Sequence, residues 1–189
     1  MAAKNCRGFT LIESIIAIIL MGLAMTSLIT FLFPQVQDSA RPHYEVRAAA
    51  LANSFLTVIL ARGYDENSDI DGGIERCGEG TRVCSATFGP DGIDEIENSV
   101  RKPQNFNDVD DYIGCWTTNS ASEAYCNNRV GNLNDIFGNS ISDEYANFAA
   151  NVEVTSDSID GNSEFKKVTV TVTAGQFGDY RFSAHRGNF

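Results

Sequence analysis

Basic residues are scarce in this chain: 14 Lys and Arg stand against 25 Asp and Glu, for a net charge of −11 over 189 residues. That shortage excludes a nucleic-acid-binding domain, which needs a basic patch to meet phosphates. It also excludes a peripheral protein held on anionic lipid by Lys and Arg. Histidine is scarcer still, with His43 and His185 alone. Neither has a Ser or Cys nucleophile at an interpretable spacing, and no Gly-x-Ser-x-Gly elbow, P-loop or His-Glu-x-x-His occurs. Carboxylate pairs abound, as they must in so acidic a chain, and read as solvated loop charge rather than a glycosidase pair. The chain is expected not to be an enzyme. Low-complexity tracts are missing too, while aromatics, Val and Ile are well represented, which excludes intrinsic disorder. The length fits one domain plus an appendage.

The longest absence is of charge. From Ser14 to Gln37 there is no charged residue in 24 positions. As a helix this run is about 36 Å long, enough to cross the hydrocarbon of a bilayer. A buried core helix would show a polar stripe, and Ile15-Ile16-Ala17-Ile18-Ile19-Leu20-Met21 has none. Lys4 and Arg7 precede the run, so the positive-inside rule leaves the N-terminus cytoplasmic and everything after about Gln35 outside the cytoplasmic membrane. No Ala-x-Ala site follows the run, as an ordinary secretory signal requires; Phe31-Leu32-Phe33-Pro34-Gln35 does.

The residues before the run, Lys4-Asn5-Cys6-Arg7-Gly8-Phe9-Thr10-Leu11-Ile12-Glu13, resemble the leader of type IV prepilins. That signature demands a basic peptide ending in Gly, then Phe, then one acid inside an otherwise uncharged helix. The resemblance implies a leader over 1–8, a transmembrane and filament-core helix over 9–35, and an extracytoplasmic globular domain over 36–189. It implies that a prepilin peptidase cuts after Gly8 and methylates the new terminus at Phe9. It gives Glu13 a role in subunit assembly, in line with the cost of a lone carboxylate in a membrane helix. The implied partners are other pilin subunits, through the N-terminal helix, and an inner-membrane assembly platform. The implied location is the inner membrane, single-pass with the C-terminal domain periplasmic, and then a cell-surface pilus. Within the family, Tyr64-Asp65-Glu66-Asn67-Ser68-Asp69, Arg76-Cys77-Gly78-Glu79 and Phe106 to Tyr112 resemble a minor pilin of the mannose-sensitive haemagglutinin (MSHA) pilus. A type II secretion pseudopilin and a binding module displayed on a filament are the other readings.

Cysteine usage agrees with export. Five cysteines are present, and loss of the leader removes Cys6, leaving Cys77, Cys84, Cys115 and Cys126 on the oxidising side. Losing Lys4 and Arg7 also takes the charge from −11 to −13. Four cysteines allow three connectivities; the short-range pairing Cys77–Cys84 with Cys115–Cys126 is the simplest. Zinc competes poorly, because no Cys-x-x-Cys spacing and no nearby His occur.

The middle of the chain, residues 63–145, loses regular periodicity and holds 17 acids against 5 bases. An irregular, disulfide-bonded connection is expected there. Asp65, Asn67, Asp69 and Asp71 alternate ahead of Gly72-Gly73, and Asp108, Asp110 and Asp111 form a second oxygen-rich group, so calcium is the one cofactor to consider. The EF-hand spacing fails, however: counted from Asn67, the twelfth position is Gly78 rather than Glu. The alternative is a solvated acidic loop.

Regular structure flanks this stretch. Ala48, Leu51, Ala52, Phe55, Val58 and Ile59 make an apolar helical stripe that Gly63 can cap. One helix from about Phe9 to Arg62 is expected, with a kink or melted turn near Pro34 and Pro42. Val168-Thr169-Val170-Thr171-Val172-Thr173 alternates strictly and predicts a strand with Val facing the helix. Ala150 to Ser156 and Gln176 to Ser183 read as its antiparallel partners, with turns at Asp160-Gly161 and Ala174-Gly175. The expected class is α+β, the pilin fold: a long N-terminal helix laid on a C-terminal antiparallel sheet.

Overall fold

The structure, a computed structural model, describes residues 10–69, 75–135, 139–159 and 162–188. It divides into two compact units, Met1–His43 and Tyr44–Phe189. One helix, α1 (Leu11–Leu60), begins in the first unit and ends in the second, and it stays helical through Pro34 and Pro42. The melted turn expected there is absent. A helical proline removes one backbone donor, and the bonds on either side carry the helix past it.

In the second unit the last turns of α1 pack on a five-stranded sheet of order β4-β3-β5-β6-β7. Its strands are β3 (Gly114–Thr117), β4 (Arg129–Asn132), β5 (Phe148–Ile159), β6 (Asn162–Ala174) and β7 (Asp179–Gly187). A separate two-stranded ribbon joins β1 (Ile96–Glu97) to β2 (Val100–Arg101). The β5–β6 and β6–β7 ladders are antiparallel and long, as the alternation predicts: Val168, Val170 and Val172 are fully buried while the intervening threonines are half-exposed. Gln176 and Phe177, expected in the last strand, instead form a short 3-10 turn after Ala174. The Asp160-Gly161 turn lies outside the described residues.

Four strands escaped the sequence reading, the ribbon pair β1 and β2 and, in the main sheet, β3 and β4. β3 and β4 are four residues each and both carry Gly, so neither is long enough to show the period of a half-buried strand; they pair with each other in parallel. Gly131 marks why a small residue sits in β4: a Cβ there would come within 2.5 Å of the Trp116 ring. The helix stripe is also slightly rotated from expectation. Ala48, Leu51, Ala52, Leu56 and Ile59 are buried, while Phe55 and Val58 lie half-buried at its edge.

The core closes with aromatics from the connection. Phe55 and Phe106 each meet Tyr112 and Trp116 edge-on at centroid distances of 4.8–6.3 Å, a geometry that aligns ring edges with ring faces. Trp116 stays satisfied inside by donating Nε1–H to the Tyr112 carbonyl at 2.8 Å. This α+β architecture, with a long helix, an antiparallel-rich sheet and two disulfides, is the fold that the pilin resemblance implies.

Candidate functional site

In the first unit α1 presents its apolar side chains outward: Leu11, Ile12, Ile18, Met21, Phe31 and Phe33 are all more than half exposed. Its hydroxyls are folded back onto the helix. Thr26 donates to the carbonyls of Gly22 and Leu23, Ser27 to Leu23 at 2.8 Å, and Thr30 to Thr26 and Ser27. Ser14 donates likewise to Thr10. This is how a helix makes polar residues compatible with hydrocarbon, where no water can bond them.

Glu13 is the exception in this segment. Its backbone N–H meets the Thr10 hydroxyl at 3.4 Å, which makes Thr10 the N-cap and Glu13 the third helical residue. Thr-x-x-Glu is the capping-box spacing, and an acid in the first turn also suits the positive end of the helix dipole. The sequence reading passed over this local role, although Thr10-Leu11-Ile12-Glu13 displays it openly. Gly8 and Phe9 lie outside the described residues, as do Cys6 and Asp71.

In the second unit five acids of the connection are withdrawn from solvent. Asp65, Glu95, Asp108, Asp110 and Asp111 are buried, with only 1–2% of their surface exposed. Their oxygens bind backbone amides of the irregular chain. Asp65 accepts from the N–H of Asn67 and Ser85, Asp108 from Glu66 and Asp110, and Asp110 from Gly89. Asp111 accepts from Asn107 and Asp108, and Glu95 from Asp91 and Gly92, all at 2.8–3.1 Å. For these five the expectation of a solvated acidic loop is corrected, while Asn67 and Asp69 are exposed: where no ladder pairs the amides, carboxylates pair them, because a buried N–H must find an acceptor.

A lysine that the sequence reading left unremarked completes the cluster. The alternation that buries Val172, Val170 and Val168 continues to Lys166, so its side chain enters the sheet's inner face. There the ammonium pairs with Asp110 and lies 3.6 Å from Asp65, its side chain 3% exposed. Tyr64 and Phe88 place their rings at 4.8 and 5.2 Å from it. Burial alone would favour loss of its proton, but the Asp110 hydrogen bond and the charges of Asp110, Asp108 and Asp65 outweigh it, holding the ammonium above the usual lysine range. Burial, reinforced by Asp110 and Asp111, pushes the Asp108 carboxyl up to about 9. Burial likewise lifts Asp111 to about 6.

The seven residues considered for calcium thus have several fates. Asp65 and Asp110 are shared between Lys166 and backbone amides, Asp108 and Asp111 hold amides, and Asn67 and Asp69 are exposed. Among the described residues the group whose potential ligand atoms all lie within 4.8 Å is Asp65 with Cys77 and Cys84. Those two sulfurs are bonded to each other. The cysteines pair as Cys77–Cys84 and Cys115–Cys126, each closing a short loop in the connection.

The three stretches 64–69, 76–79 and 106–112 meet in space. Glu66 N–H reaches Asp108 at 3.2 Å, Cys77 N–H reaches the Ser68 hydroxyl at 3.1 Å, and Asn188 bridges Ser68 and the Cys77 carbonyl. Phe106, Val109 and Tyr112 are buried at a spacing of three, so 106–112 is a plug in the core.

Against known families, the N-terminus decides. Residues 3–29 match a family model described as the prokaryotic N-terminal methylation motif. The chain bears a prepilin-type N-terminus. The match spans most of the expected leader, Glu13 and most of the apolar run, and it supports a type IV pilin or pseudopilin subunit handled by prepilin peptidase and assembled with other pilins. An apolar helix of this length fits membrane anchoring followed by display on a filament. No curated protein and no solved structure matches the chain.

Proposed function

We propose that this chain is a minor structural subunit of a type IV pilus of the MSHA kind, similar to the minor pilin MshD, serving pilus assembly and surface attachment without enzymatic activity. The observation that carries the filament reading is Glu13: a carboxylate with no intramolecular side-chain partner among the described residues, in a helix whose hydroxyls are bonded internally. Cleavage after Gly8 supplies a cation at that depth, the methylated amine of Phe9. Glu13 then pairs with the amine of a neighbouring subunit and sets the register as the helix leaves the inner membrane. The apolar face that anchors the subunit becomes its packing surface in the filament. The MSHA assignment is supported by the resemblance of 64–69, 76–79 and 106–112, stretches that contact one another around the buried cluster.

The decisive test separates the charge of Glu13 from its capping position. Glu13→Gln keeps a side chain suited to the capping box and removes the charge; Glu13→Val removes both. Both variants are expected to be inserted, cleaved and folded, yet to be at least tenfold depleted from sheared filaments by immunoblot. Wild-type incorporation of Glu13→Gln would reject the register role. Filaments containing uncleaved Gly8→Asp chain would reject the pilin reading itself.

A further inference from the structure

We propose that Asp108 makes the seat of the 106–112 plug proton-dependent, firm in acidic and neutral solution and loosened in alkaline solution. The geometry concentrates negative charge at one point. Asp108, 2% exposed, is faced by Asp110 and Asp111 from its own segment, by Glu66 from the chain after α1, and by Lys166 from β6. Asp65 shares Lys166, Arg186 lies opposite Lys166 in the β6–β7 ladder, and Glu95 and Arg101 act on Asp111 from the β1–β2 ribbon and the turn before it. One buried ammonium cannot neutralise Asp65, Asp110 and Asp108 together. Two of these carboxylates use it, and the third is left to carry a proton.

That third group is also the hinge of the seat. Its two oxygens take the N–H of Glu66 at 3.2 Å and of Asp110 at 2.9 Å, tying the chain after α1 to the plug. A parallel bridge beside it joins Gly63 to Asp108, through Gly63 N–H to Asn107 and Val109 N–H to Gly63. Ionising Asp108 places a further negative charge against Asp110, Asp111 and Glu66 where water is excluded. The chain relieves that repulsion by letting water into the seat, and Phe106, Val109 and Tyr112 move with it.

The sign follows from proton counting. Asp108 binds its proton up to about pH 9 when folded and only to its ordinary value of 3.8 when released. Between those limits the folded state holds the extra proton, so its stabilising effect is complete below 3.8 and is lost as pH rises towards 9. Asp91 and Asp111 behave alike but finish near 6, which leaves the window from pH 7 to 9 to Asp108.

The experiment is chemical denaturation of the full chain in detergent at pH 7, 8 and 9, with hydrogen exchange of the peptides covering 63–69 and 105–113. The wild-type unfolding constant should rise about tenfold per pH unit, and these peptides should lose protection ahead of β5 and β6. Asp108→Asn keeps one of the two acceptors and cannot ionise, so its slope over that window should vanish whatever its baseline stability. Equal slopes in the two proteins, or a flat wild type, would overturn the proposal. If the variant does not fold, carbon-13 titration of the wild-type aspartate carboxyls decides. A buried carboxyl titrating near pH 9 upholds it, and all carboxyls ionised by pH 7 overturn it.

Discussion

The long strands and the connection solve the same problem in opposite ways. In β5, β6 and β7 the backbone satisfies itself through ladders, and side chains are free to sort by polarity, Val inward and Thr outward. Among the described residues of the connection no ladder of comparable length exists, so side chains must satisfy the backbone. Five buried carboxylates accept nine amide hydrogens there. The lesson concerns acidity: the same Asp and Glu that look like solvated charge in sequence are the framework of an irregular fold. Lys166 joins the two solutions, because it belongs to the strand by register and to the connection by charge.

The largest effect should come from breaking that joint. Lys166→Met removes the cation that pairs with Asp65 and Asp110 and leaves two buried carboxylates without it. Loss of one partner of a buried pair costs about 3–5 kcal/mol, and urea unfolding of the full chain should show it. A loss below about 1 kcal/mol would mean that water reaches the cluster and that the connection is not built on this charge.

Next come the bridges. Replacing Cys115 and Cys126 together by Ser should cost about 3 kcal/mol, since the bond closes a loop of 11 residues and restrains the unfolded chain. Non-reducing peptide mapping should recover this bridge and Cys77–Cys84, and a Cys77–Cys115 peptide would contradict both. The smallest effects sharpen the other side of the contrast. Val170→Ala, on the inner face of β6, should cost about 2 kcal/mol from lost burial. Thr169→Ala, one residue away on the outer face, should cost under about 0.5 kcal/mol. Similar losses at the two positions would show that the sheet face is not the ordering principle.

How much of this could be read in advance depends on the length scale of the signal. The 168–173 alternation specifies a strand and its buried face because each residue's fate depends on its immediate neighbours. The helix stripe and the capping spacing Thr10-x-x-Glu13 are local in the same sense, although the second went unread. Lys166 was within reach: positions 166, 168, 170 and 172 share one face, and the lysine only needed to be counted with the valines. The aspartates were not within reach. Asp65 and Asp110 meet Lys166 from 101 and 56 positions away in sequence, and nothing local distinguishes them from exposed Asp69.

By itself the sequence determined the prepilin-type N-terminus, the uncharged helix and the valine face of the sheet. Each is a property of a contiguous segment acting on water, lipid or the peptidase. The tertiary structure decided which acids are buried, that β3 joins the sheet antiparallel to β5 and takes β4 as its parallel neighbour, and that 106–112 is a core plug. Those outcomes turn on charges and amides brought together by chain closure, and a buried carboxylate is stable only where its partners, wherever they lie in the chain, arrive with it.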